Sequence, residues 1–430
     1  MPVRLDARDE GFEVAFRALL AAKREVAEDV DAVVRDIIAD VAARGDRAVI
    51  DYTARFDGLA LDPARLRVSE DEIDAALADS PREALAALEV ARARIETYHR
   101  RQKPADERFT DEAGVTAGWR WTAIESVGLY VPGGTASYPS SVLMNAVPAQ
   151  VAGVPRIVMA VPMPGGAVNP LVLAAARIAG VDEIYRVGGA QAVAALAHGT
   201  QTIAPVAKIV GPGNAFVAAA KRRVFGLVGI DMIAGPSEVL ILADRNANPE
   251  WVAADLLAQA EHDTAAQSIL ITDSAALADA VAAAVEGHLV TLPREKIARQ
   301  SWEDYGAIVL VPSLGEAIGL VDRIAPEHLE IVADDAEALA GAVRNAGAIF
   351  LGQYTPEAVG DYVGGPNHVL PTARSARFAS GLGVLDFLKR TSILHCTADA
   401  LRAVGPAAIA LGETEGLQAH ARSVSIRLNL

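Results

Sequence analysis

The sequence predicts an α/β protein with more than one parallel-sheet unit, and three observations lead there. The chain has 430 residues, too many for one ordinary domain and enough for two or three. Aromatics are scarce and alanine is abundant, so the core is expected to be small and branched aliphatics from many short helices packed on sheets. From Gly128 onward, short apolar runs alternate with helical patterns, which is the signature of βαβ units.

Taken in order, the first hundred residues read as helices. Ala21 to Arg44 and Glu72 to Gln102 carry apolar residues at three- and four-residue spacing, with Gly58 and Pro63 punctuating the stretch between them. Strand-and-helix pairs follow at Ile157–Val161 and Leu171–Ala179, Glu183–Val187 and Gln191–His198, and Lys208–Val210 and Ala215–Phe225. The pattern resumes with Val239–Leu242 and Pro249–Glu261, Ser268–Thr272 and Ser274–Gly287, and Ala307–Val311 and Glu316–Ile324. Two α/β segments therefore meet near Gly235-Pro236. From about Leu382 the chain reads as helices with too little apolar mass to stand alone, so this tail is expected to dock on the chain or on a partner. No internal repeat is visible.

The balance of 52% hydrophobic and 22% charged residues is that of a soluble globular protein, not a disordered one. A net charge of −16 argues against nucleic acid and anionic membranes as partners. The basic triplet Lys221-Arg222-Arg223 is read as a solvated helix face. A single cysteine, Cys396, excludes an intrachain disulfide and a cysteine-cluster metal site, and it is expected to be a buried structural thiol. There is no signal-peptide pattern and no apolar run near the ~20 residues that span a bilayer, so the expected location is cytoplasmic.

Several constellations could carry chemistry. Glycine-bearing turns at Gly133-Gly134, Gly165-Gly166, Gly188-Gly189, Gly211-Pro212-Gly213-Asn214 and Gly235-Pro236-Ser237 let backbone approach a ligand closely, or simply turn the chain. The usual dinucleotide fingerprint Gly-x-Gly-x-x-Gly is absent, and composition alone does not point to NAD. Gln259 and His262 stand three apart on an expected helix, so both emerge on one face and could hold a divalent metal; on spacing alone a polar helix end is the better account, because Gln is an uncommon ligand. In Ala325-Pro326-Glu327-His328, Pro326 fixes a turn that sets an acid beside an imidazole at the mouth of a sheet, where a general base is useful. Asp361 and the loop Gly364-Gly365-Pro366-Asn367-His368 are of the same polar character, and Glu415 and His420 place acid and imidazole near the C-terminus.

Together, Gly128 to Met144, Val187 to Ala192, Lys208 to Asn214, Ile230 to Glu238, Gln259 to His262, Ala325 to Leu329, Asn367 to Thr372 and Glu415 to His420 resemble the histidinol dehydrogenase family, in family order. The resemblance implies two incomplete Rossmann-like, aldehyde-dehydrogenase-like domains, with helical N- and C-terminal segments making an intertwined homodimer. Its implied borders are 1–24 for an N-terminal dimerisation segment, 25–129 with 238–381 for the zinc and catalytic domain, 130–237 for the NAD domain, and 382–430 for a C-terminal dimerisation segment.

The resemblance further implies one Zn2+ per subunit, held by Gln259, His262, Asp361 and His420, and NAD contacts from Tyr130, Gln191 and Asn214. Substrate contacts come from Ser237, Gln259, His262, His328, Asp361, Glu415 and His420, with His420 and Glu415 reaching the partner subunit's site. The implied activity is oxidation of L-histidinol through the aldehyde to L-histidine, with His328 as base and Glu327 activating water. Three alternatives stand beside it. A sister dehydrogenase of another polar alcohol, such as a sulfonated diol, is disfavoured by Glu415, whose carboxylate would repel a sulfonate. A zinc hydrolase leaves the glycine-rich stretches unexplained, and a silent binding protein leaves Glu327 and His328 without a role.

Overall fold

The architecture follows from near-continuous apolar runs in eleven short parallel strands among the described residues, whose two faces each collect helices. The computed structural model describes residues 2–22, 28–133, 138–181, 183–233 and 235–430. Gly134, from one of the glycine turns, Ala234, which precedes Gly235 of another, and the implied border at 24/25 lie outside the described residues.

A five-stranded parallel sheet has the spatial order Glu183–Tyr185, Ile157–Ala160, Val127–Tyr130, Lys208–Val210, Gly229–Ile230. Numbered along the chain this is 3-2-1-4-5, the dinucleotide-binding order without its sixth strand. The larger sheet repeats it. Its strands Ala307–Leu310, Gln267–Thr272, Glu238–Ala243, His328–Val332 and Ala348–Leu351 also run 3-2-1-4-5, and Val3–Asp6 adds a sixth at the edge, parallel to Ala307–Leu310. The two incomplete Rossmann-like units are thus copies of one topology, a repeat that sequence comparison within the chain does not reveal.

In the small sheet, Leu129, Ile157 and Met159 face one core with Ile73, Ala91 and Ile95, while Tyr130, Val158 and Ile209 face another with Val34, Ile37, Val41 and Val49. Helices Glu28–Arg44, Asp46–Asp57, Glu70–Asp79 and Arg82–Arg100 therefore cover the small sheet. The implied grouping of 25–129 with 238–381 differs from this packing. Val127–Tyr130, moreover, is the central strand of the small sheet, so a border at 129/130 would cut it.

The expected helix from Glu72 to Gln102 is broken at Ser80-Pro81, because proline drives the residue before it out of the helical region. The N-terminal segment is neither wholly helical nor detached. Val3–Asp6 is a ladder strand, and Phe16 and Leu19 are buried against Leu240, Ile269 and Leu329 of the large sheet.

The large sheet's other face holds Val239, Ile241, Leu270 and Ile308 against Trp302, which is 1% exposed. Trp302→Ala is expected to cost ~3–5 kcal/mol through the cavity it leaves, read as a lower urea midpoint.

The C-terminal segment also departs from an all-helical reading. Leu388–His395 pairs antiparallel with Thr116–Ala123, which pairs with Glu107–Thr110, before helices Ala398–Thr414 and Gln418–Leu428 form a hairpin. Leu411, Leu417 and Ile426 on that hairpin are exposed, and Cys396 is half-buried rather than buried. Among the described residues no helix is long and apolar enough to cross a membrane.

Candidate functional site

The two sheets present opposite edges to a common region. The small sheet's last strand ends at Ile230, and a short link leads to Glu238, the first residue of the large sheet's central strand. The carboxyl edge of one sheet thus opens toward the amino edge of the other. The segment 366–373 stitches them together: Asn367 Nδ2 donates to the Met144 carbonyl at 2.6 Å, His368 Nε2 lies 3.4 Å from Ser141 Oγ, and Gly235 N donates to Thr372 Oγ1 at 2.6 Å.

His328 opens its strand, in register with Val239. The sequence reading put it at the mouth of a sheet; that mouth is the amino edge, not the carboxyl edge usual for α/β sites. Its Nδ1 lies 3.1 Å from the Glu238 carbonyl oxygen. A carbonyl only accepts, so Nδ1 carries hydrogen and Nε2 holds the lone pair of the neutral ring. That Nε2 is buried without a hydrogen-bond partner and faces Asp361 Oδ1 at 3.6 Å.

Glu327 Oε2 accepts from Glu238 N at 2.9 Å and lies 3.8 Å from His328 Nδ1. Burial pushes its carboxyl up to about 7, partly offset by the His328 charge. Burial also disfavours charge on His328, but the carboxylates of Glu357, Glu327 and Asp361 outweigh it and raise the ring well above its ordinary value.

Gln259 and His262 arrive from the helix Pro249–Ala260 and the turn after it. Gln259 is fully buried; its Nε2 is 3.5 Å from His262 Nδ1, and its Oε1 has no partner. An orphaned buried amide oxygen is costly, and a cation would satisfy it. Burial lowers the His262 pKa while the Asp361 charge opposes that, so the neutral, ligand-competent imidazole is favoured. Arg294 Nη2 donates to the His262 carbonyl at 3.3 Å and fixes the turn.

Asp361 comes from the short helix Glu357–Tyr362 and stays below its usual range: burial would raise it, but the nearby His328 ring and the His368 and His262 imidazoles prevail. Arg94 anchors the end of this helix through the Val363 and Gly364 carbonyls. Ser237 immediately precedes the central strand, on the same edge. Beside His262 opens a cavity of about 430 Å3, lined in part by Leu88, Tyr138, Leu143, Arg294 and Tyr362.

Sequence reasoning missed Glu357. It is buried, with Oε1 3.6 Å from His328 Nδ1, and its donor atom lies within 4.8 Å of those of His328 and Asp361. Its position four residues before Asp361 was the available signal, since that spacing puts both on one helix face. Burial pushes Glu357 up to about 8.

Tyr130, Gln191 and Asn214 gather at the small sheet's carboxyl edge. Tyr130 ends the first strand, and its hydroxyl oxygen accepts from Gly189 N at 3.0 Å. Gln191 is buried with Oε1 unpartnered, beside the positive-φ Gly189. Asn214 caps helix Ala215–Val224, accepting from Phe216 N and Val217 N at 3.1 and 3.2 Å. First and fourth strands flank the crevice where such sheets take a dinucleotide, and a helix N-terminus there suits a pyrophosphate.

Glu415 and His420 are not part of this cluster within one chain. Both are exposed on the C-terminal hairpin, and among the described residues no hydrogen bond or ion pair joins either side chain to Gln259, His262, Asp361 or His328.

Comparison with known proteins agrees with this arrangement. A family model described as histidinol dehydrogenase matches residues 20–428. The histidinol dehydrogenase of Bradyrhizobium diazoefficiens is 69% identical over 430 residues, covering all of both chains, and that of Rhodopseudomonas palustris is 67% identical over 429, again covering both. A crystal structure of histidinol dehydrogenase from Elizabethkingia anophelis superposes with a TM-score of 0.95 at 38% identity, over 100% of this chain and 98% of that one.

Proposed function

Because the chain belongs to the histidinol dehydrogenase family, we propose that it is a cytoplasmic, NAD- and zinc-dependent enzyme oxidising L-histidinol through L-histidinaldehyde to L-histidine, the last steps of histidine biosynthesis. The observation that carries the reading is the buried His328–Glu327 pair beside Gln259, His262 and Asp361, at an edge facing a dinucleotide crevice.

Gln259, His262 and Asp361 suit one divalent cation, and the unpartnered Gln259 Oε1 supports the fit. His420 of the partner subunit would complete the set. Exposed Leu411, Leu417 and Ile426 on the hairpin support a homodimer in which that segment is covered, with Glu415 entering beside His420. Tyr130, Gln191 and Asn214 would seat the dinucleotide, and the orphaned Gln191 Oε1 is a buried acceptor available to it. When bound, the cation supplies fixed attachment for the substrate's imidazole and amino nitrogens, and NAD supplies the hydride acceptor.

The residues of this chain do the proton work. His328 takes the carbinol hydroxyl proton on Nε2 as hydride departs, giving the aldehyde. Glu327, with a carboxyl near neutrality, accepts a proton from water as it adds to that aldehyde, while His328 returns its proton to the carbonyl oxygen, completing the hydrate and regaining its lone pair. His328 then takes a hydroxyl proton of the hydrate, and loss of the second hydride leaves the carboxylate. A cation held by Asp361 would weaken one of the three carboxylate influences that favour protonated His328, leaving those of Glu357 and Glu327. Ser237 and Asp361 flank the substrate, and the anionic Asp361 and Glu415 complement its ammonium group.

The test is NADH absorbance on adding L-histidinol to the zinc-loaded protein, with and without prior chelation. Two NADH per histidinol, abolished by chelator and restored by zinc, is the expected result. Silence with histidinol and turnover of another polar alcohol would overturn the substrate; chelator-insensitive turnover would overturn the metal.

A further inference from the structure

The basic triplet Lys221-Arg222-Arg223 is not one solvated face. Arg222 and Arg223 are turned outward, but Lys221 is 2% exposed. Its ammonium pairs with Asp231, and the two side chains are 3% and 1% exposed. Lys221 Nζ also donates to the Gly211 carbonyl oxygen at 2.9 Å, while Gly211 N donates to Asp231 Oδ2 at 2.7 Å. A single buried ion pair therefore grips both polar ends of one residue.

That residue begins the turn Gly211-Pro212-Gly213-Asn214, between the fourth strand and the helix capped by Asn214. Gly211 has φ +110°, and a Cβ there would sit 2.2 Å from the Tyr130 carbonyl oxygen. Only glycine fits there, so Gly211 has no side chain of its own to anchor it, and its orientation rests on what holds its N–H and C=O. A buried ion pair carries a desolvation cost that apolar packing would avoid. The return here is a turn held in one geometry.

We propose that Lys221 and Asp231 are positioning residues for the dinucleotide: clamping Gly211 aims the Gly213–Asn214 backbone and the helix N-terminus at the pyrophosphate. This rests on the dinucleotide reading above and adds two residues that touch no ligand.

The test measures NADH binding to the zinc-loaded protein by fluorescence. Lys221→Met with Asp231→Asn removes both charges, so no buried charge is left alone; it keeps an acceptor for Gly211 N and loses the donor to Gly211 O. The NADH dissociation constant is expected to rise at least about tenfold, with zinc content and histidinol affinity unchanged. If the double variant does not fold, Asp231→Ser, too short to reach Gly211 N, is expected to raise KM for NAD while leaving kcat in place. NADH affinity within about twofold of the unaltered chain in a folded double variant, or equal loss of zinc and histidinol binding, overturns the clamp. No NADH binding by the unaltered chain overturns the dinucleotide reading and the clamp with it.

Discussion

His328→Asn is expected to reduce kcat by on the order of 10^2–10^4-fold, the range in which a positioned general base contributes, while zinc content and histidinol affinity stay close to those of the unaltered protein. Asparagine is the informative substitution because its amide can still donate to the Glu238 carbonyl, the bond that His328 Nδ1 makes at 3.1 Å. What disappears is the Nε2 lone pair. The comparison to make is kcat against the dissociation constants, from single-turnover kinetics and from calorimetry with zinc and with histidinol.

Unchanged turnover would remove His328 from the base role. Loss of zinc along with turnover would move His328 into the metal set, beside Glu357 and Asp361, whose donor atoms lie within 4.8 Å of its own. The two outcomes separate because the cation set proposed here uses Gln259 and His262 from a different helix and leaves His328 free for protons.

Much of this site was legible in the sequence, for identifiable reasons. Strands such as Val239–Leu242 and Lys208–Val210 announce themselves by apolar runs between turn residues, and the helix bearing Gln259 begins with Asn248 capping and Pro249 at its first position. The spacing of Gln259 and His262 put them on one side, and Pro326 before Glu327-His328 marked the start of a strand.

What stayed hidden was whatever depends on distant pairing. Val3–Asp6 is four residues long and finds its partner at Ala307–Leu310, so local alternation could not reveal it. The amphipathic helices 28–44 and 82–100 advertise an apolar stripe but not which sheet receives it. Glu357 reads as an ordinary acid opening a helix until the fold sets it against His328. Lys221 reads as the first of three basic residues until Asp231, ten positions later, draws it inward.

Mixing two inactive variants is expected to recover activity, and the argument for it is geometric. In one chain the hairpin holding Glu415 and His420 stands apart from Gln259, His262 and Asp361, and its exposed Leu411, Leu417 and Ile426 lack cover. If the partner subunit's hairpin completes each site, His420→Ala spoils the partner's site, whereas Gln259→Ala with His262→Ala spoils the chain's own. Each homodimer would then hold two damaged sites and turn over very slowly. A heterodimer would hold one site with both defects and one with none. Random reassortment makes about half the dimers mixed, each with one intact site of two, so recovery to about one quarter of the unaltered activity is expected. The measurement is chelator-sensitive NADH formation after co-refolding, on the mixture and again on the mixed species purified through two different affinity tags, where recovery is expected to rise to about one half. If tagged heterodimers are isolated and remain silent, the shared site is wrong, and His420 must then act within its own chain or not at all.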